Sequence, residues 1–224
     1  MSDFHTIHRA MAAEPLTDHE DDRLAAKAIE MCPGWSGLAH FAFFKTALIA
    51  LTPRNILITG VYYGRDIGMM QLAARRHLNY SPKITGVDLF SGAPCADWPD
   101  EKRGMSWLEA GFGPHPQLDR TVAHLRALNA YDHVRLVQSN SIEHMSTTEE
   151  RYDLIYLDTS HDYETLNKEI DAAKLCASSA DIVIAGDDYM RRPNWGVVEC
   201  VNARFDRFAV YKSCIWVSSL SCLK

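Results

Sequence analysis

The sequence predicts an α/β fold, a doubly wound and mostly parallel seven-stranded sheet with an antiparallel strand at its C-terminal end. Three observations carry this expectation. From residue 54 onward, short continuous apolar runs alternate with segments of helical periodicity, the pattern of parallel strands covered on both faces. Glycines, carboxylates and hydroxyls stand where these runs end, at the ligand-binding edge of an open parallel sheet. The last runs, Phe208-Ala209-Val210-Tyr211 and Cys214-Ile215-Trp216-Val217, flank Lys212-Ser213 and read as a terminal hairpin or edge pair.

Each element has a local reason. Thr17, followed by Asp18, Glu20, Asp21 and Asp22, reads as an N-cap with an acidic first turn, after which Leu24, Ala25, Ala28 and Ile29 keep helical spacing to Cys32-Pro33-Gly34. That acidic run is either a solvated helix start or a cation site. A second helix over 38–51 puts Phe41, Phe44, Leu48 and Leu51 on one face and stops before Pro53; His40, one residue from the stripe, reads as a packing histidine. The strand Asn55-Ile56-Leu57-Ile58-Thr59 runs into Gly60, a helix passes through Ile67, Met70 and Leu72, and Lys83-Ile84-Thr85-Gly86-Val87-Asp88 completes a β-α-β unit. Then come a helix over 118–128, strands over 134–138 and 152–158, a helix over 163–176 with Leu166, Ile170 and Ala173 on one face, and a strand over 181–185. The insertion over 90–117, rich in Gly, Pro and Trp, is long enough to serve as a functional lid.

Composition narrows the function classes. With 224 residues and 47% apolar side chains, one domain over 1–224 buries enough surface to fold without disulfides or a structural metal. A net charge of −6 argues against a polyanionic partner, so nucleic acid is not expected. Six dispersed cysteines form no zinc-type cluster and read as reduced thiols. Neither a leader-like basic and apolar start nor about 18 consecutive apolar residues occurs, so the expected location is the cytoplasm, away from a membrane.

The turn Gly60-Val61-Tyr62-Tyr63-Gly64 lies between a strand and a helix, where a ligand meets backbone amides and the positive helix end. Its spacing differs from G-x-G-x-x-G, which disfavours a nicotinamide cofactor. Asp88, at the end of the next strand, can accept both hydroxyls of a ribose, and Ser139-Asn140-Ser141 offers amide and hydroxyl groups to an adenine edge; each could instead cap a helix. Asp158, Asp187 and Asp188 end two further strands. They either hold a cation with oxygen ligands, of the Mg²⁺, Mn²⁺ or Ca²⁺ type, or serve as caps and turns, with Asp158 and Asp162 at the helix that starts near Tyr163.

Two stretches sharpen this. Val87-Asp88-Leu89-Phe90-Ser91-Gly92-Ala93-Pro94 with its Trp-rich continuation resembles the lid entrance of macrocin-type sugar O-methyltransferases. Leu157-Asp158-Thr159-Ser160-His161-Asp162-Tyr163-Glu164, followed by Ala185-Gly186-Asp187-Asp188-Tyr189 and Gly196-Val197-Val198-Glu199-Cys200-Val201, is similar to the metal-dependent small-molecule group that includes catechol-type enzymes. Residues 54–205 thus resemble a class I S-adenosylmethionine-dependent methyltransferase, a Rossmann-like fold.

The resemblance implies N-terminal helices over 1–53, a donor-binding core over 54–205 with the 90–117 lid, and C-terminal strands over 206–224. It places S-adenosylmethionine against Gly60, Val61, Tyr62, Gly64, Asp88, Leu89, Asn140, Ser141 and Asp158, to which the sequence adds Asp66 as a candidate, and Mg²⁺ (or Mn²⁺, Ca²⁺) on Asp158, Asp187 and Asp188. His161, in an Asp-x-x-His pattern, is the implied base for a hydroxyl proton, and Trp98, Trp107 and Phe112 would close over the acceptor. Two positions depart from the family pattern: Ile58 stands where an acid is usual, and Asp66 where Ser or Thr is usual. Asp66 is therefore either a substitute partner for the donor's ammonium group or a first-turn helix acid. The activity implied is Mg²⁺-dependent methyl transfer to a hydroxyl of a small molecule, a vicinal diol, sugar or phenol. The alternatives are a donor-binding protein without turnover and a metal enzyme of another reaction class. The acceptor is the expected partner, and self-association is left open.

Overall fold

Alternate residues of the strand Asn55–Thr59 (β1) face different layers, which fixes the architecture around it. Ile56 and Ile58 pack into one hydrophobic core and Leu57 into another on the opposite face. The computed structural model describes residues 3–13, 17–92 and 98–224. The first core is covered by α2 (His19–Met31), α3 (Leu38–Leu51), α4 (Arg65–His77) and α5 (Leu118–Ala127); the second by α7 (Tyr163–Cys176) and α8 (Val197–Arg204). α1 (Asp3–Ala12) and α6 (Ser141–Thr147) complete the helices among the described residues.

The remaining strands are β2 (Lys83–Asp88), β3 (Val134–Gln138), β4 (Leu154–Leu157), β5 (Val183–Gly186), β6 (Ala209–Tyr211) and β7 (Ile215–Ser219), and the sheet order is β3-β2-β1-β4-β5-β7-β6. β1 to β5 run parallel; β7 lies antiparallel beside β5 with β6 outside it, so the terminal hairpin forms the edge pair expected, its second strand on the inner side. The strand order reverses between β1 and β4, and the crevice above their carboxyl ends is where an open α/β sheet binds its ligand.

Several boundaries differ from those expected. The N-cap of α2 is Asp18, one residue after Thr17: its carboxylate accepts from the amides of Glu20 and Asp21, closing a capping box with Asp21. In the acidic turn Asp18 is solvent-exposed and Glu20 partly so, but Asp21 is buried and meets Lys45 at 2.9 Å, Arg76 at 2.6 Å and His77 at 2.7 Å, so it ties α2 to α3 and α4 instead of facing solvent or a cation. β4 and β5 are shorter than the apolar runs that announced them. Tyr152 instead forms an isolated bridge to Ala177, and Asp181 and Ile182 precede the paired residues. Ala93, Pro94 and Cys95 of the expected lid lie outside the described residues.

Candidate active site

The loop between β1 and α4 is shaped by what lies beneath it. Gly60 has φ +77°, and a Cβ on it would sit 1.6 Å from the carbonyl oxygen of Asp158, so only glycine lets β1 and β4 close at this point. Tyr62, at φ +51°, turns its amide to Asp88 Oδ2 at 2.9 Å, while the Phe90 amide donates to Asp88 Oδ1 at 2.8 Å. Burial raises the Asp88 carboxyl above its usual pKa, and these amide donors oppose the shift. Leu89 beside it exposes an apolar side chain, and Val61 is buried. Gly64, at φ +84°, is the N-cap of α4. Asn140 caps α6, its Oδ1 accepting from the amides of Ile142 and Glu143, so the capping reading describes what that side chain does here. Asp162, not Asp158, caps α7.

β4 and β5 are neighbours with Leu157 opposite Gly186, which brings the acids to one edge in two groups: ligand atoms of Asp158, His161 and Asp188 lie within 4.8 Å of one another, and Asp187 groups with His40 and Cys214. Burial, reinforced by the charges of Asp187, Asp188 and Asp66, lifts the Asp158 carboxyl well above the usual range. Asp188, at φ +62°, turns its Oδ2 to His161 Nε2 at 2.6 Å, and the imidazole lies stacked on Trp195 with centroids 4.0 Å apart. Asp66 is buried with Oδ1 unpartnered, and burial raises its pKa too. The Tyr156 hydroxyl is likewise buried and unpartnered, amid Asp187, Asp66, Asp158 and Asp188.

His40 belongs to this site, which its place on an apolar helix did not signal. The amide of Gly37 donates to Nδ1 at 3.1 Å, so Nε2 carries the proton and donates to Asp187 Oδ2 at 2.7 Å. Burial opposes a charge on His40, but the hydrogen bond and charge of Asp187 outweigh it and raise the imidazole pKa. Cys214 also approaches Asp187; burial and the Asp187 carboxylate push its thiol up to about 12. A metal on His40 Nε2 would need the proton moved to Nδ1, against the Gly37 amide, so His40 is a hydrogen-bonded support for Asp187 rather than a ligand beside it. Asp187 Oδ1 is left unpartnered.

The lid is anchored to the glycine turn. Tyr62 Oη donates to the Phe112 carbonyl at 3.1 Å, Tyr63 Oη donates to that of His115 at 2.8 Å, and the Tyr62 ring stacks on Trp107 at 5.7 Å. Trp98, Trp107 and Phe112 pack on one another, with Trp35 from the loop before α3 against Tyr62 and Phe112.

Beneath the acids, Glu169 of α7 is fully buried with both carboxyl oxygens unpartnered. Burial pushes its pKa up to about 7, against the opposing hydroxyls of Ser141, Thr159 and Thr59. The unfolded chain releases that proton near 4.5, the folded chain near 7, so the native state holds the extra proton across this window and stability is lost as pH rises through it. The loss is on the order of 3 kcal/mol. Glu169→Gln should therefore raise the melting temperature at pH 8 and leave it nearly unchanged at pH 4.5; equal shifts at the two pH values would contradict this.

A family model for a methyltransferase domain matches residues 57–189, more than half of the chain. No curated protein sequence matches significantly. Among solved structures, the O-methyltransferase NovP superposes with TM-score 0.66 at 15% identity, over 89% of this chain and 96% of that one. An SAH-bound methyltransferase from Podospora anserina gives TM-score 0.59 at 13% identity over 95% and 94%, and an O-methyltransferase from Bacillus cereus in complex with SAH gives 0.54 at 13% over 95% and 96%. At such identities the likeness is one of fold.

Proposed function

Because the chain belongs to the methyltransferase domain family, we propose that it transfers the methyl group of S-adenosylmethionine to a hydroxyl of a small molecule held over a divalent cation. The observation that carries this reading is the gathering of acids at the ligand edge of the sheet: Asp158 and Asp188 lie with His161 within 4.8 Å, and the Asp187 charge bears on buried Asp158, which is held well above its normal pKa. Such a set is stabilised by a compensating cation, and its oxygens suit Mg²⁺ or Mn²⁺. Asp158, Asp187 through Oδ1, and Asp188 would hold it. When bound, the cation lowers the pKa of an acceptor hydroxyl.

The chain's own residues do the rest. The Gly60–Gly64 turn and Asp88 would place the donor's ribose, exposed Leu89 its base, and the unpartnered Oδ1 of Asp66 its ammonium group in place of the acid missing at Ile58. His161 would take the hydroxyl proton. The acceptor oxygen then forms its bond to the methyl carbon as the carbon–sulfur bond breaks, and S-adenosylhomocysteine leaves. Trp98, Trp107 and Phe112 would keep water from the reacting atoms.

Calorimetry with S-adenosylhomocysteine, followed by transfer of labelled methyl to a library of diols, sugars, phenols and amines, tests the reading. Asp88→Ala should weaken donor binding by about 1.5–3 kcal/mol, the cost of hydrogen bonds to a charged acceptor. Tighter binding of NAD would sink the donor assignment. A chain that binds the donor and methylates nothing in the library would be a binding protein on this fold.

A further inference from the structure

The donor site and the acid cluster are built on three loops that reach the same crevice from different elements, and one buried side chain lies under all three. Glu169 comes from the second turn of α7 and is fully buried. Around its carboxyl group stand the hydroxyls of Thr59, Ser141 and Thr159, none of them closed to a full hydrogen bond. Thr59 precedes Gly60, Ser141 follows Asn140, and Thr159 follows Asp158. The Thr59 and Thr159 hydroxyls are buried with no other partner among the described residues. A buried hydroxyl without a partner is costly, so one acceptor shared by all three fixes the spacing of their backbones.

Glu169 is poorly placed to act as a ligand itself. It shares with Asp158, Thr159, Asp187 and Trp216 a cavity of about 10 Å³, room for about one water molecule. The buried Nε1–H of Trp216 also has no partner, and a donor-only group on the wall of this cavity suits a water or an acceptor, not a cation.

We propose that Glu169 is a positioning residue: its carboxyl group receives the hydroxyls of Thr59, Ser141 and Thr159 and thereby holds the Gly60 loop, the Asn140 loop and the Asp158 loop at the separation the donor requires. The role rests on the donor assignment made above and does not depend on the metal. It predicts a separation of affinity from stability. An apolar residue of similar volume can replace a buried acid with no loss of stability, and often with a gain. It cannot receive the three hydroxyls.

The test compares wild type, Glu169→Gln and Glu169→Leu by thermal melting at pH 8 and by calorimetric titration with S-adenosylhomocysteine. Glutamine retains an acceptor and should bind within about threefold of wild type; leucine should melt at or above wild type yet bind about tenfold or more weakly. A leucine variant that binds as wild type does, or a glutamine variant that loses as much as leucine, overturns the role. Should the leucine variant not fold, Thr159→Val should bind S-adenosylhomocysteine about fivefold or more weakly while Thr159→Ser, which keeps the hydroxyl, stays within about twofold of wild type; a valine variant that binds as wild type does overturns the role. Absence of binding by the wild-type chain would overturn the donor assignment itself, an outcome distinct from a binding wild type with an unaffected leucine variant.

Discussion

Asp187→Asn is expected to raise the concentration of Mg²⁺ needed for half-maximal methyl transfer about 10²-fold or more, and chelator is expected to abolish turnover of the wild-type enzyme. The expectation follows from how Asp187 is supported. His40 donates to Oδ2 and leaves Oδ1 unpartnered in the crevice, beside two further carboxylates. An amide at this position keeps the shape, removes the charge, and turns either an oxygen or an NH₂ group toward the site. Donor binding should largely survive, because the Gly60 turn and Asp88 stand on other strands. A second readout needs no acceptor. Asp158 and Asp66 have raised pKa values, so the folded chain retains protons that the unfolded chain releases, and stability falls as pH rises above the ordinary carboxylate range. A cation that neutralises the cluster offsets this. Mg²⁺ should therefore raise the melting temperature more at pH 8 than at pH 5, and Asp187→Asn should shrink that difference. Full turnover in excess chelator, with no pH-dependent effect of Mg²⁺ on melting, would mean that the three acids serve the fold alone.

Much of this site was legible in the sequence because a parallel sheet delivers the ends of its strands to one edge. Gly60, Asp88, Asp158 and Asp187 each follow an apolar run, and the β-α-β alternation alone puts them together. The contributions of other elements were not legible. His40 sits on an almost wholly apolar helix, and only the packing of α3 against the sheet brings its imidazole to Asp187. A capping interaction from Gly37 then sets its tautomer, which no periodicity reveals. Glu169 reads as one more polar residue on an amphipathic helix, and its full burial depends on where α6 and β4 end. Asp21 was misread for the same reason: an acidic first turn looks solvated until Lys45, Arg76 and His77 arrive from two other helices. Asn140 shows the opposite case, where the local preference for capping decided what the side chain does.

His161→Ala is expected to slow the chemical step by about 10²- to 10⁴-fold while donor and metal binding stay near wild type. The imidazole is held from two sides, by Asp188 at Nε2 and by the face of Trp195, itself overlain by the Arg192 guanidinium. A base so fixed loses little entropy on reaching its proton, and the Asp188 carboxylate stabilises the imidazolium that forms. Neutral imidazole is the form that accepts, so the single-turnover rate should rise with pH until the histidine is deprotonated and then level off. In the alanine variant that rise should disappear. Asp188→Asn separates the two services this acid could give. If Asp188 mainly supports His161, the asparagine variant should lose rate with little change in Mg²⁺ requirement; if it mainly holds the cation, the requirement should rise as it does for Asp187→Asn. Single-turnover rates from pH 5.5 to 9 at saturating Mg²⁺ decide between them. An alanine variant at position 161 that keeps a near-full rate and the same profile would leave proton removal to solvent and the lowered pKa of the acceptor hydroxyl, with Asp188 as a ligand only.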